Sequence, residues 1–301
     1  MMQRRRVSDD LTFSVLAWGA WRLQDSDHLQ GPRDVLRLIE FLIDHGVTTI
    51  DHADIYGDYG CEAAFGAALA LAPALRERME IVTKCDIVPP DPARPDARVK
   101  HYDTSARHII DAAERSLRNL GIAHIDVLLL HRPDPLMDAN EVAEAFARLR
   151  TAGKVRHFGV SNFTPAQFDL LQSRLDAPLV TNQIECSPLA TDALTDGALD
   201  QMQSLGRTAM FWSPLGGLFD PDDARARRVR DALTEVGRRI GCNAPATVAT
   251  AWLLRLPCAP VVIAGSMRTG HLESMIQASA LTLDRQDWFQ IYEASMGRPA
   301  P

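Results

Sequence analysis

Short β-branched runs alternate with helix-period stretches eight times along this chain, and no other feature limits its fold as severely. Phe13–Gly19 reads as a strand, and Pro32–His45 as a helix with Val35, Leu38, Ile39 and Leu42 on one face and Gly46 as its stop. The strand Val47–Ile50 follows, then an Ala-rich helix over Glu62–Leu75 and the strand Glu80–Lys84. A proline-rich stretch, Asp86–Asp103, shows no periodicity and reads as a long functional loop. Beyond it, Thr104 or Ser105 caps a helix running to Gly121, and Ile125–Leu130 is the fourth strand. Helices over Asn140–Ala152, Pro165–Arg174 and Leu194–Leu205 then alternate with strands Val155–Val160, Leu179–Ile184 and Thr208–Trp212. Two helices, Asp223–Ile240 and Ala244–Leu256, precede the last strand, Pro260–Ile263, and Thr269–Ala280 and Arg285–Met296 close the chain. Eight strands each followed by helix predict an α/β fold, a closed (β/α)8 TIM barrel with a parallel eight-stranded core and extra helices near the C-terminus. A doubly wound dinucleotide fold would carry G-x-G-x-x-G straight after its first strand; Gly57-Asp-Tyr-Gly60 and Leu215-Gly-Gly217 have the wrong spacing.

Composition bounds the rest. With 301 residues, 46% hydrophobic and 24% charged, and no low-complexity linker, one domain over residues 1–301 is expected. A net charge of −7 argues against nucleic acid as a partner, because phosphate binding needs a basic face. Arg4-Arg5-Arg6 reads as a solvated end, and the residues after it do not form the apolar core of a secretory signal. No apolar run is long enough for a bilayer, so no membrane association is expected. Five cysteines, odd in number and without a C-x-x-C pair, fit a reduced cytoplasmic protein. Cys85 is read as a small buried hydrophobe although Lys84 precedes it. Oligomeric state is not written in the sequence.

In a parallel barrel the active site lies at the carboxyl ends of the strands. Those ends carry Trp21, Asp51, Lys84, His131, Ser161 with Asn162, Gln183, Trp212 with Ser213, and Ser266. Each has a plainer role available: Asp51 and Lys84 as an ion pair, His131 as a core histidine, Asn162 as a helix cap, Gln183 as a partner for rim backbone, Trp212 as core. Together with Tyr56, in the loop after Asp51, they suggest one chemistry. A phenol with an ordinary pKa of ~10 needs a cation beside it to exchange protons near neutrality. Lys84 can supply that charge, Asp51 can hold Lys84, and neutral His131 can donate to the oxygen that Tyr56 protonates. Such a site handles a developing alkoxide, as in reduction of a carbonyl.

The motifs Asp51-x-x-x-x-Tyr56-Gly, Thr83-Lys84, Leu128-Leu-Leu-His131-Arg-Pro, Gly153-Lys-Val-Arg-x-x-Gly159-Val-Ser161-Asn162-Phe, Asn182-Gln183, Ser213-Pro-Leu-Gly-Gly217 and Ala251-Trp252-Leu-Leu come in that order over almost the whole chain. In them the sequence resembles the aldo-keto reductase superfamily. The resemblance implies an NADPH-dependent oxidoreductase that reduces aldehydes or ketones, with Asp51, Tyr56, Lys84 and His131 as catalytic tetrad. It implies that Ser161, Asn162 and Gln183 hold the nicotinamide carboxamide and that Trp212 stacks on the ring. Gly19, Ala20, Trp21, Asp51, Ser213, Pro214, Leu215, Gly216, Gly265, Ser266, Met267, Arg268 and His271 complete the implied cofactor contacts. Trp21, Tyr56 and His131 line the implied substrate pocket, with the Cys85–Asp103 loop and the loop near Gly216–Phe219. Arg268 is the one certain cation for a 2′-phosphate, with Ser266 and His271 beside it, and Ser274-Met275 stands where relatives carry a Glu-Asn pair; NADH is therefore the alternative cofactor. Two other functions are weighed: an NADPH-binding regulatory or accessory subunit of the same fold with little turnover, and a metal-dependent barrel hydrolase using His52, Asp54 and His131. The last lacks a suitably spaced ligand pair, and no metal is expected.

Overall fold

The computed structural model describes residues 2–91 and 97–300. Part of the Asp86–Asp103 loop, residues 92–96, therefore lies outside the described residues. The eight expected strands form: β1 (Leu16–Gly19), β2 (Thr49–Asp51), β3 (Glu80–Cys85), β4 (Ile125–Leu130), β5 (Val155–Ser161), β6 (Leu179–Glu185), β7 (Met210–Trp212) and β8 (Val261–Ala264). They pair in parallel in chain order and β8 pairs with β1, so the sheet closes into the predicted barrel. Helices α1 (Pro32–Asp44), α2 (Cys61–Leu69), α3 (Ala106–Leu120), α4 (Ala139–Thr151), α5 (Pro165–Gln172) and α6 (Ala198–Ser204) follow the first six strands. After β7 come α7 (Ala224–Ile240) and α8 (Pro245–Leu254), and after β8 come α9 (Thr269–Gln277) and α10 (Arg285–Met296).

Two apolar cores result. Outward-facing strand residues such as Leu16, Ile50, Ile81, Leu128 and Phe158 pack under helix residues such as Ile39, Leu42, Ile109 and Phe146. Inward-facing residues, among them Ala17, Val82, Val127, Leu129, Met210 and Val261, fill the barrel itself. Gly159 is one place where that interior has no room for a side chain. A Cβ there would meet Leu129 Cδ2 at 2.7 Å and the Thr181 carbonyl oxygen at 2.8 Å.

Several local expectations are corrected. Arg4–Arg6 is not a solvated end: it pairs antiparallel with Thr12–Ser14, and Arg4 reaches Thr48 and Glu80 at the starts of the second and third strand segments. The hairpin turn carries Val7 and Leu11, which with Phe13 enter the inner core. The expected single strand Phe13–Gly19 is thus two, the first part of this hairpin and β1. Helix Glu62–Leu75 ends at Leu69 and continues only as a 3-10 segment, Pro73–Arg78. Helix Leu194–Leu205 begins late, at Ala198, because Gly197 takes φ 88°. The Asp86–Asp103 loop contains a small antiparallel pairing of Ile87–Val88 with His101–Tyr102. Among the described residues, no helix is long and apolar enough to cross a membrane.

Candidate active site

Side chains alternate along a strand, so two steps past an inward core residue the chain again faces inward. At the carboxyl ends this rule turns Val82 into Lys84, Thr49 into Asp51, Leu129 into His131, Gly159 into Ser161 and Met210 into Trp212. In β6 the pairing with β5 shifts between Leu179 and Asn182, which allows Val180 and Gln183 both to face in. The barrel's upper rim is therefore polar for the same geometric reason that its interior is apolar.

Lys84 is fully buried and Asp51 is 2% exposed. The Lys84 ammonium donates to the Asp51 carboxylate, with 2.8 Å to Oδ1 and 2.9 Å to Oδ2, to the His52 carbonyl oxygen at 2.7 Å, and to Tyr56 Oη at 3.0 Å. Its protons are thereby all directed, and the Tyr56 hydroxyl accepts from one of them while keeping its own proton. The chain reaches Tyr56 through a tight turn in which Gly57, Asp58 and Tyr59 have φ of 57°, 48° and 68°. The Tyr56 ring, partly buried, meets the His131 imidazole edge to face at 5.9 Å between centroids.

Burial and charge set the protonation states. Burial opposes the Lys84 charge, but Asp51 and then Tyr56 outweigh it and hold the ammonium above its usual range. Burial raises the Tyr56 phenol, and the charge of Lys84 pulls against it. Burial, with Lys84 and Arg132 adding to it, pushes His131 well below its usual value and leaves it neutral.

Behind this group lies a buried layer of ionisable residues. His52 is held at about 3 by burial and by Lys84, and neither ring nitrogen has a hydrogen-bond partner among the described residues. Asp54 is raised to about 7 by burial, although Arg115 donates to it at 2.9 Å. Glu62 accepts from Thr83 at 2.7 Å, and burial raises its pKa as well. Asp86, with φ 100°, accepts the Arg132 backbone N–H at 3.1 Å. Cys85 is buried and its thiol is pushed well up by burial, in keeping with a structural role. With Asp54 turned to Arg115, the proposed His52, Asp54 and His131 ligand set is not assembled, and no cluster of three metal-ligating side chains occurs among the described residues. The sequence offered little sign of this layer, since each of its members reads alone as a strand-end or helix polar residue.

On the opposite side of the rim, Ser161 Oγ donates to the Gln183 carbonyl oxygen at 2.9 Å and accepts from Asn162 Nδ2 at 2.9 Å. Asn162 has φ 60° and is no helix cap; Thr164 caps α5 instead. Its Oδ1 accepts the Trp212 indole N–H at 3.0 Å. Gln183 is turned differently from the plain expectation: its Nε2 donates to Asp51 Oδ1 at 2.8 Å. Ser213, at φ 52°, begins successive tight turns through Pro214, Leu215 and Gly216 to Asp220.

Past β8, Gly265, Ser266 and Met267 lead into α9. Ser266 Oγ accepts the Arg268 backbone N–H at 3.1 Å and lies 3.3 Å from His271 Nδ1, so Ser266, Arg268 and His271 share one helix N-terminus. The Trp18 indole donates to the Ser266 carbonyl oxygen at 3.0 Å and fixes that loop to β1. Beyond Gly19 and Ala20, Trp21 is 57% exposed, with Arg22 stacked on it; its turn packs on the turn that carries Tyr56.

The mouth of the closed parallel barrel thus holds a buried lysine and aspartate with a partly buried tyrosine on the lysine. The family model described as "Aldo/keto reductase family" matches residues 15–295, and the chain belongs to that family. It is 51% identical over 291 residues to Oxidoreductase YdhF of Escherichia coli, covering 96% of each chain. It is 46% identical over 299 residues to a 6-dehydroglucose reductase of Agrobacterium fabrum, covering 99% of each. Among solved structures, a thermostable aldo-keto reductase in complex with the inhibitor epalrestat shares the fold, with a TM-score of 0.82 at 24% identity over 97% of this chain and 100% of that one. The protein is an oxidoreductase of this family.

Proposed function

We propose that this oxidoreductase reduces the carbonyl of a small aldehyde or ketone to an alcohol with NADPH, and that Tyr56 delivers the proton. The observation that carries the proposal is the 3.0 Å contact between Tyr56 Oη and the Lys84 ammonium, itself fixed on Asp51 in a site closed to water behind it. The residues present fit a nicotinamide dinucleotide. Ser161 and Asn162 offer polar ends at the rim beside the half-buried Trp212 ring, and the α9 N-terminus with Arg268, Ser266 and His271 suits a phosphate. The floor between them is kept low at Gly19, where a Cβ would come within 2.9 Å of Ile263 Cγ2. Gln183, with its side-chain Nε2 on Asp51, has its side-chain Oε1 left for the carboxamide amine. Bound there, the reduced nicotinamide supplies the hydride that the substrate carbon accepts.

The protein's own residues do the rest. Neutral His131 donates to the carbonyl oxygen and positions it over the Tyr56 hydroxyl. Tyr56, kept protonated by burial, gives its proton to that oxygen as negative charge develops, and Lys84 stabilises the phenolate left behind. Asp51 keeps Lys84 in place throughout. The name of the Agrobacterium relative supports the reductive direction.

Tyr56→Phe tests the reading. Turnover of a simple aldehyde is expected to fall by at least ~10²-fold, the scale of general acid catalysis, while NADPH still quenches tryptophan fluorescence. Tight NADPH binding by the native chain without turnover of any aldehyde would favour the accessory-subunit reading instead.

A further inference from the structure

The turn that carries Tyr56 does not hold its shape by itself. Gly57, Asp58 and Tyr59 all have positive φ, and two of the three bear side chains that disfavour that region. Such a run persists only where its surroundings over-determine it. Lys84 holds the hydroxyl end of the Tyr56 side chain at 3.0 Å. The main chain is closed on itself, with the Tyr56 N–H on the Ala53 carbonyl oxygen at 3.2 Å and the Gly60 N–H on that of Gly57 at 2.9 Å. Neither bond ties the turn to the barrel.

Arg115, on α3 in the outer ring of helices, reaches both sides of this segment. Its Nη2 donates to Asp54 Oδ2 at 2.9 Å, just before Tyr56 in the chain, and its guanidinium carbon lies 5.4 Å from the centroid of the Tyr59 ring, just after it. Asp54 is anchored in turn: it is 1% exposed, and its backbone N–H donates to the Lys84 carbonyl oxygen at 3.0 Å. The residue whose ammonium holds the Tyr56 hydroxyl therefore also holds, through its main chain, the residue that Arg115 grips. Among the described residues Asp54 Oδ1 has no partner, so Arg115 is the one side chain bonded to that carboxylate. Glu62, the other buried acid nearby, is taken by Thr83 at 2.7 Å. A single cation thus brackets the tyrosine and, through Asp54, ties both flanks of its turn to β3.

We propose that Arg115 is a positioning residue for the proton donor: by pairing with Asp54 and lying against the Tyr59 ring, it fixes the left-handed turn that presents the Tyr56 hydroxyl to the Lys84 ammonium. The inference rests on the reading of Tyr56 as proton donor. Arg115 touches neither substrate nor cofactor and moves no proton.

Arg115→Met keeps the stem of the side chain and removes both contacts. Its kcat for a simple aldehyde is expected to fall about tenfold or more, the scale of a small misplacement of a reacting group, while KM and NADPH affinity stay within about twofold. Arg115→Lys, which keeps a cation for Asp54 and for the ring, should regain part of kcat. In a Tyr56→Phe background, Arg115→Met should cost nothing further, because no phenol remains to be placed. An equal loss in both backgrounds would show a merely structural role and overturn the proposal, as would a native kcat in Arg115→Met. A rise in KM or weaker NADPH binding with kcat unchanged would overturn it in favour of a binding role. Should circular dichroism show Arg115→Met unfolded, Tyr59→Leu reads the other half of the clamp: the same fall in kcat is expected, and an unchanged kcat would overturn the proposal. Native turnover by Tyr56→Phe would instead overturn the proton-donor reading beneath it.

Discussion

The Trp212 indole N–H donates to the side-chain oxygen of Asn162 at 3.0 Å. The residue proposed to hold the carboxamide therefore also orients the ring proposed to stack on the nicotinamide. Asn162→Ala removes both functions. NADPH affinity is expected to weaken about tenfold, measured by fluorescence titration, and the Trp212 emission should lose intensity change on binding. Unchanged affinity would separate these residues from the cofactor site.

Lys84 and Asp51 are buried as a pair, and the two must be judged together. Lys84→Met leaves the Asp51 carboxylate with Gln183 as its remaining side-chain donor. Turnover should fall by ~10²–10⁴-fold. Stability in urea should fall by about 3–5 kcal/mol, the cost of stranding a buried charge. The double variant Asp51→Asn/Lys84→Met should regain much of that stability but none of the turnover. Additive losses in stability would show that the pair does not act as a unit.

Two buried groups pull stability in opposite directions with pH. His52 at about 3 is below its ordinary value of 6.5, so the folded state binds fewer protons, and the stability present above 6.5 is lost as pH falls toward 3. Asp54 at about 7 is above its ordinary 3.8, so the folded state binds more protons, and stability present below 3.8 is lost as pH rises through 7. His52→Gln should flatten the acid limb of the melting midpoint against pH, and Asp54→Asn the limb between pH 4 and 7. A profile unchanged by either substitution would show that the group titrates alike in the folded and unfolded chains.

Arg268 precedes α9 with an exposed side chain, and His271 follows it in the first turn. Arg268→Ala should weaken NADPH binding about tenfold and leave NADH binding within twofold, as expected of one charge-assisted contact to a phosphate. The NADPH loss should shrink at high salt. Equal weakening of both cofactors would place Arg268 away from the 2′-phosphate.

The barrel and its rim are legible in the sequence because both follow from one periodicity. Val82 and Lys84 are core and site by the same alternation, so a strand that is recognised already points to its polar end. What escapes is whatever depends on contacts between distant segments. Arg4–Arg6 has no apolar alternation of its own, and it becomes a strand only because Thr12, Thr48 and Glu80 receive Arg4. Gln183 reads as a rim residue, yet its direction is decided by Asp51 across the barrel. Asp54, Glu62 and Asp86 are ordinary acids in the sequence; burial, set by helices α2 and α3 and their loops, makes them unusual.

The amino-terminal hairpin stoppers the barrel, with Val7, Leu11 and Phe13 seated among the inward residues of the strands. The vessel is blind, and every molecule that uses it must pass the same doorway. Under the proposed chemistry the cofactor lies across that doorway's floor and the substrate above it. Traffic is then first in, last out: the alcohol must depart before the spent dinucleotide can, and a fresh carbonyl compound arriving early would bar the exchange.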